Sequence, residues 1–190
     1  MKRKAGFTLV EIIMVIILLG ILGILGTLGL NSAVSSDSGM YERQFESAIR
    51  YAQNYAMSHF TYTAIVFSAS GSSPSCTLGN SSTSYSGYAV CACNAATSSL
   101  VPLTNPLAQT ASNFYVSMNY GISYSVSGIS TNYIAFNSEG QSGTSFFKSS
   151  CGNSFTALAS AAIVSFGSLP NQSFSIYPTT GLVSYNGKLM

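Results

Sequence analysis

Few side chains in this sequence could do acid–base or nucleophilic chemistry. The chain has one histidine, His59, and five acidic residues among 190. No Ser, His and acid constellation can be assembled from so few groups, and no GxGxxG, GK[ST] or HExxH pattern occurs. Cys91-Ala-Cys93 is not a CxxC pair, and a single histidine without an acidic cluster disfavours a zinc site. We therefore expect a protein that is not an enzyme, with no catalytic residue, metal or cofactor.

The four cysteines favour disulfides instead. Cys76, Cys91, Cys93 and Cys151 form an even set in a chain whose larger part is expected to lie in an oxidising compartment. Cys91 and Cys93 are two residues apart, so they lie on one face of a strand and pair outward. Their partners are Cys76 and Cys151, in either order.

Charge is scarce and hydrophobicity is concentrated near the N-terminus. Only 6% of the residues are charged, against about a quarter in ordinary soluble domains. Ile12 to Leu30 carries no charge, and as a helix it would cover roughly 28 Å, close to the bilayer core. The basic residues Lys2, Arg3 and Lys4 precede it and predict a cytoplasmic N-terminus. A cleaved secretory signal fits less well, because the apolar run is long and begins just after Glu11.

The order of residues around the leader is more specific than the apolar run. Lys2-Arg3-Lys4-Ala5-Gly6 is followed by Phe7-Thr8-Leu9-Val10-Glu11. This resembles the type IV prepilin leader (class III) shared by type IV pilins and the pseudopilins of type II secretion. The resemblance implies cleavage between Gly6 and Phe7 by a prepilin peptidase, usually with N-methylation of Phe7.

Glu11 is the one acid near the apolar segment. A carboxylate there is costly to insert, so its natural partner is a cation. The pilin resemblance implies that Glu11 neutralises the Phe7 amine of a neighbouring subunit and so sets the register of assembly. The alternative is that Glu11 snorkels to the headgroups or serves only the peptidase.

Four glycines recur every three residues within the apolar segment: Gly20, Gly23, Gly26 and Gly29. Small residues allow close helix packing. The resemblance adds a second interpretation, in which glycine lowers the cost of local helix unwinding in the filament, because each glycine weakens a helix by about 0.8–1 kcal/mol. Both interpretations stay open.

The remaining pattern predicts an α+β fold. Apolar residues at three- and four-residue steps extend one helix from about Phe7 to about His59, with a possible bend near Ser35 to Gly39 and with Glu42, Glu46, Arg50 and Gln53 on other faces. Short alternating segments then predict an antiparallel sheet with one buried face. The predicted strands are Tyr62–Ser68, Tyr85–Cys93, Phe114–Asn119, Ile122–Val126, Tyr133–Asn137, Ser145–Lys148, Ala161–Phe166, Ser173–Tyr177 and Leu182–Asn186.

These elements divide the chain into four parts. Residues 1–6 are the leader, 7–30 the transmembrane or filament-core helix, 31–60 a polar hinge and amphipathic helix, and 61–190 a β-rich head with disulfides. The fold expected is pilin-like, with a long helix packed on a C-terminal antiparallel sheet.

Three stretches, one in the amphipathic helix and two in the head, carry a second resemblance. Glu46–Met57, Ile134–Gly140 and Ile176–Val183 are similar to the GspH and FimT group of minor pseudopilins and minor pilins, and MSHA-type pilins look similar at this level. The resemblance implies a subunit that helps to initiate or cap a filament, in contact with other pilin subunits, the inner membrane, the prepilin peptidase and the assembly platform. It implies a single-pass inner-membrane protein with a periplasmic head, which then enters an extracellular pilus or a periplasmic pseudopilus.

A displayed adhesin or ligand-binding pilin is the alternative function. Beyond Phe60 the chain has Lys148 and Lys188 against Glu139, too little positive charge for DNA uptake. Nucleic acid is therefore not an expected partner. The abundant Ser, Thr, Asn and Tyr could instead hydrogen-bond glycans or simply solvate the surface.

Overall fold

A computed structural model describes residues 9–94, 96–97, 99–106, 108–119, 122–145, 155–166, 173–185 and 188–189, without the side chains of 21–38, 145, 185, 188 and 189. The leader, Phe7, Lys148 and Cys151 lie outside the described residues. The chain divides into two compact units, Met1–Asp37 and Ser38–Met190.

One helix, α1, comprises Leu9–His59. Its end matches the predicted end, and the helix is continuous as an element through the predicted bend at Ser35–Gly39. In the first unit, the large apolar side chains from Leu9 to Leu19 are all exposed, at 49% or more. No helix in the described part of the chain combines the length and apolarity that crossing a bilayer requires.

The helix ends at an unusual residue. Phe60 has a φ of +47°, and the Thr61 amide donates to the Ala56 carbonyl at 3.1 Å. This six-to-one bond is the mark of a Schellman-type end, where the left-handed position is usually glycine.

Twelve strands follow in the described residues, and all their pairings are antiparallel. The strands are β1 Thr63–Ala69, β2 Tyr85–Asn94, β3 Ser99–Pro102, β4 Tyr115–Ser117, β5 Tyr124–Ser127, β6 Tyr133–Phe136, β7 Ser142–Ser145, β8 Thr156–Ala157, β9 Ala162–Phe166, β10 Ser173–Ile176, β11 Val183–Tyr185 and β12 Lys188–Leu189. The sheet order is β12-β11-β10-β9-β5-β2-β1-β6-β7-β8, while β3 and β4 also pair with β2. Strand β2 is central because β1 follows one of its edges and three short strands share the other.

The second half of α1 packs on this sheet. Its core-facing residues include Phe45, Ile49 and Ala52, all fully buried. Phe45 is an aromatic centre, with its ring centroid 4.7 Å from that of Tyr88 and 5.5 Å from those of Tyr124 and Phe174. Burying a large apolar side chain stabilises a fold by about 1.5–3 kcal/mol. The predicted packing of an amphipathic helix on an antiparallel sheet is therefore confirmed for this unit.

The prediction that only one face of the sheet is buried is wrong for its centre. In β1, six consecutive residues are buried. A second apolar cluster covers the face away from the helix and includes Val66, Ala89, Cys91 and Ala135. The connection between β1 and β2 contributes Cys76 and Leu78 to it. This loop is rich in Ser and Gly, so its covering role leaves no hydrophobic pattern in the sequence.

The strand predictions differ from the structure at a few places. Strand β7, at Ser142–Ser145, pairs with β6; of the strand predicted at Ser145–Lys148, Ser145 lies in β7 and the rest lies outside the described residues. Strands β3, β8 and β12 were not predicted. Strands β8 and β12 have two residues each, too few for an alternating pattern, and β3 ends at Pro102, a residue that argues against a strand in sequence.

Candidate functional site

The N-terminal segment presents a single acid on an apolar helix surface. Glu11 shares a shallow apolar depression of about 300 Å³ with Ile12, Val15 and Ile16. All four side chains lie on the exposed surface of α1. The predicted cleavage and methylation residues, Gly6 and Phe7, precede the described residues, as do Lys2, Arg3 and Lys4.

Of the four spaced glycines, Gly20 is the one whose surroundings are described. A Cβ added at Gly20 would meet no atom within 4 Å in the described part of the chain. Nothing within this described surface therefore requires glycine at that position. Gly23, Gly26 and Gly29 are helical, and their packing lies outside the described side chains.

In the head, a glutamine of the helix joins two turns that are distant in sequence. The Gln53 Nε2 donates to the Gly140 carbonyl at 2.8 Å and to the Thr180 carbonyl at 2.7 Å. We call this contact the Gln53 clasp. An added Cβ at Gly181 would lie 2.5 Å from the Gly140 oxygen and 2.6 Å from Gln53 Nε2, so this turn needs glycine.

Further hydrogen bonds hold the same two turns. The Asn137 Oδ1 accepts from the amides of Glu139 and Gln141 at 3.1 and 2.8 Å. Ser142, fully buried, donates its amide to the Pro178 carbonyl and its hydroxyl to the Tyr177 carbonyl, both at 3.0 Å. The stretches Ile134–Gly140 and Ile176–Val183 thus both contact the helical stretch Glu46–Met57. These are the three stretches that carry the GspH and FimT resemblance. The sequence placed Gln53 on another face and did not reveal this role.

The predicted disulfides are confirmed in part. Cys76 and Cys91 are bonded, with a Cα–Cα distance of 6.0 Å and a sequence separation of 15. Cys93 is also disulfide-bonded, and Cys151 lies outside the described residues. The bond to Cys91 attaches the β1–β2 connection to the sheet face opposite the helix.

His59 is placed at the end of the helix. Its ring stacks on Tyr55 with centroids 3.9 Å apart, and Nδ1 lies 2.9 Å from the Ser58 hydroxyl. Nδ1 also lies 3.2 Å from the Tyr55 carbonyl, so the ring interacts with groups of its own helix end.

Glu42 departs from the sequence expectation, since it is 7% exposed on the core side of the helix. Burial is the main cause that raises the pKa of this carboxyl; Glu46 adds to the effect and Arg43 opposes it. Its Oε1 has no hydrogen-bond partner among the described residues. By contrast, Glu46 and Arg50 lie on the surface as expected and form an i, i+4 ion pair at 2.8 Å, and such pairs contribute a few tenths of a kcal/mol.

The buried tyrosines are also poor candidates for proton transfer. Burial raises the pKa of Tyr88 and of Tyr124 far from neutrality. Tyr124 donates its hydroxyl to the Gly87 carbonyl at 2.7 Å, a structural contact between β5 and β2. In the described parts of the chain, no group of three or more His, Cys, Asp or Glu side chains could hold a metal ion.

Comparison with known proteins identifies the N-terminus. Residues 1–27 match the family model described as the prokaryotic N-terminal methylation motif. Curated proteins and solved structures give no significant match to the chain. The motif supports a type IV pilin-like protein and suggests a structural subunit rather than an enzyme. Its prepilin leader implies processing by prepilin peptidase, assembly with other pilin subunits, and a protein that is first membrane-anchored and then pilus-associated.

Proposed function

We propose that this chain is a minor pilin or pseudopilin, a structural subunit of a type IV pilus or a type II secretion pseudopilus. It is cut between Gly6 and Phe7, N-methylated at Phe7 and polymerised through its N-terminal helix, and it helps to initiate or cap the filament. The observation that carries the proposal is the methylation motif at residues 1–27, with Glu11 on the exposed apolar surface of the helix that follows.

The exposed apolar side chains of α1 support polymerisation. A helix that is hydrophobic on all sides belongs in a membrane or a protein interior, and Leu9 to Leu19 are exposed in the isolated chain. Burial releases about 25 cal/mol for each Å² of apolar surface removed from water. In the proposal, the inner membrane covers this surface first, and the helices of neighbouring subunits cover it in the filament.

Glu11 gives that packing a defined register. An amine at Phe7, created by cleavage, is the cation that this carboxylate needs in an apolar setting. A helix without an acid could slide axially against its neighbours, because dispersion contacts are not directional. One charge pair per subunit favours a single offset.

The head fits a filament subunit exposed to an oxidising compartment. The Cys76–Cys91 disulfide favours the periplasm over the cytoplasm. Beyond Lys4 the sequence has four basic and five acidic residues, so neighbouring heads repel one another weakly. This near-neutral composition also argues against DNA as the partner.

Assignment to the minor class rests on the GspH and FimT resemblance. The Gln53 clasp supports it, because the stretches that carry the resemblance form one connected unit on the helix.

The test is Glu11→Ala in cells that carry the filament system. We expect the variant to be cleaved and membrane-inserted but to enter filaments poorly, since the amine of its neighbour loses its partner. Glu139→Ala removes the same charge from an exposed turn of the head and should assemble normally. Fractionation, immunoblotting for the cleaved form and immunogold labelling of sheared filaments make the comparison. Wild-type incorporation of Glu11→Ala would overturn the assembly role.

A further inference from the structure

The connection between β1 and β2 is attached to the sheet face opposite the helix in two ways. We call this connection, residues 70–84, the strap. One attachment is the Cys76–Cys91 disulfide. The other is Asn132, the residue directly before β6. The two attachments are neighbours along the strap, so the second one affects which sulfur atoms the first can reach.

Asn132 binds the strap through its side chain and its backbone. Its Oδ1 accepts from the Gly79 amide at 2.6 Å, and its Nδ2 donates to the Thr77 carbonyl at 3.1 Å. Its own amide donates to the Gly79 carbonyl at 3.1 Å. Thr77 directly follows Cys76, so these bonds hold the strap one residue away from the cysteine that is cross-linked.

Bonds to β1 fix the place of Asn132 on the sheet. The Phe67 amide donates to the Asn132 carbonyl at 2.7 Å, and the Asn132 Nδ2 also donates to the Phe67 carbonyl at 3.3 Å. Phe67 pairs with Tyr88 of the central strand β2. Asn132 therefore lies at the level of Tyr88 along β2.

Both cysteines of β2 lie beyond that level, in the same direction. A strand rises about 3.3–3.4 Å per residue, so Cys91 is about 10 Å and Cys93 about 17 Å from Tyr88 along β2. Bonding Cys76 to Cys93 would require the strap to move roughly 7 Å farther along the strand. The strap could not make this move and keep its bonds to Asn132.

Chain length alone gives Cys76 almost no preference between the two cysteines. Cys91 is 15 residues from Cys76, and Cys93 is 17 residues away. Because the probability of loop closure falls with about the 3/2 power of loop length, an unanchored strap would prefer Cys91 by only about 1.2-fold. A contact that holds the strap is therefore needed to select one partner.

We propose that Asn132 is a positioning residue that directs Cys76 to Cys91 rather than to Cys93. The strap docks on Asn132 before oxidation, which holds the Cys76 thiol within reach of Cys91. The two thiols then lose two protons and two electrons and form one S–S bond, while a disulfide oxidant is reduced to two thiols. This role belongs to the folding of the head and does not depend on filament assembly.

A variant with three cysteines makes the selection measurable. Cys151→Ser leaves Cys76 with two candidate partners on β2, and the partner that stays unbonded keeps a free thiol. The full-length variant is reduced, unfolded in urea and refolded in detergent with reduced and oxidised glutathione. Iodoacetamide then labels the free thiol, and tandem mass spectrometry distinguishes labelled Cys91 from labelled Cys93. We expect the label mainly on Cys93.

Asn132→Ala in this background should lower the ratio of labelled Cys93 to labelled Cys91 by about tenfold, or ~1.4 kcal/mol, because the side-chain bonds to the strap are lost. Asn80→Ala removes an exposed asparagine side chain from the same strap and should leave the ratio unchanged. A ratio in Asn132→Ala that stays within about twofold of the parent value would overturn the proposal.

A second measurement does not depend on the folding of Cys151→Ser. Hydrogen exchange of the Gly79 amide in Cys76→Ser reports whether the strap docks without its disulfide. We expect this amide to stay protected in Cys76→Ser and to lose protection when Asn132→Ala is added. A Gly79 amide that exchanges freely in Cys76→Ser would mean that the disulfide positions the strap, contrary to the proposal.

Discussion

Phe60 combines two unfavourable features at the end of the helix. Its ring is 86% exposed, and its backbone is left-handed with φ at +47°. A side chain with a Cβ in this region costs about 1–2 kcal/mol. The hydrophobic pattern predicted the end of α1 near His59, but a phenylalanine gives no sequence signal for a left-handed residue.

Phe60→Gly should therefore stabilise the protein, by about 1 kcal/mol, because glycine adopts this conformation without strain. Urea unfolding of wild type and variant measures the change. Phe60→Ala is the matched control: it removes the exposed ring but keeps Cβ, so it should show no comparable gain. Equal gains in both variants would mean that ring exposure, and not the backbone, is responsible.

Glu42 should make stability depend on pH in the mildly acidic range. Burial raises the pKa of its carboxyl above the ordinary 4.5, so the folded state holds its proton more tightly than the unfolded state does. The unfolded chain ionises first as the pH rises from about 4.5, and stability falls until the raised folded pKa is passed.

Glu42→Gln keeps the shape and removes the titration. We expect the variant to be more stable than wild type at neutral pH, with the difference shrinking as the pH falls from the raised folded pKa towards 4.5. Thermal unfolding across this range provides the measurement, with Glu139→Gln, which removes an exposed carboxylate of the head, as the control. A stability difference that does not change with pH would contradict the role assigned to Glu42.

At the scale of elements, the Gln53 clasp joins the helix to the turns after β6 and β10. The turn residues Asn137–Gly140 and Pro178–Gly181 are recognisable in the sequence as turn signals. The contact of these turns with Gln53 is not recognisable in the sequence. Gly140 lies 87 positions and Thr180 lies 127 positions after Gln53, and contacts over such separations leave no local pattern.

Gln53→Ala should lower the free energy of unfolding by about 1–3 kcal/mol, because two carbonyls lose their donor. Asn54→Ala, the exposed neighbour on the same helix, should change it little. Denaturant unfolding compares the two, and hydrogen exchange at the Gly140 and Gly181 amides reports whether the turns loosen. Similar small effects of both substitutions would contradict the clasp.

Most of the element pattern was accessible from the sequence for a physical reason. Core-facing residues of α1, such as Phe45 and Ile49, repeat with the helical period, and β10 alternates buried and half-buried residues. The second apolar cluster was not accessible, because a disulfide and the loop residue Leu78 cover that face. Glu42 was misplaced because polarity alone assigned it to the surface.

At the scale of the whole molecule, the low charge of the sequence and the methylation motif both favour a filament subunit. Three of the seven basic residues lie in the leader, so the proposed cleavage after Gly6 would leave a nearly neutral chain. Its helix retains one acid, Glu11, beside apolar residues. These features favour a subunit that packs closely with copies or relatives over a freely diffusing protein.

The most direct test of this account is the mass and N-terminal sequence of the protein purified from its own membrane. We predict a chain that begins at Phe7 and carries one extra methyl group on its amine. Gly6→Val should block cleavage and leave the leader attached, because the peptidase must approach the backbone closely. A mature chain that begins after Ala33, or an uncleaved wild-type chain in the presence of active prepilin peptidase, would contradict it.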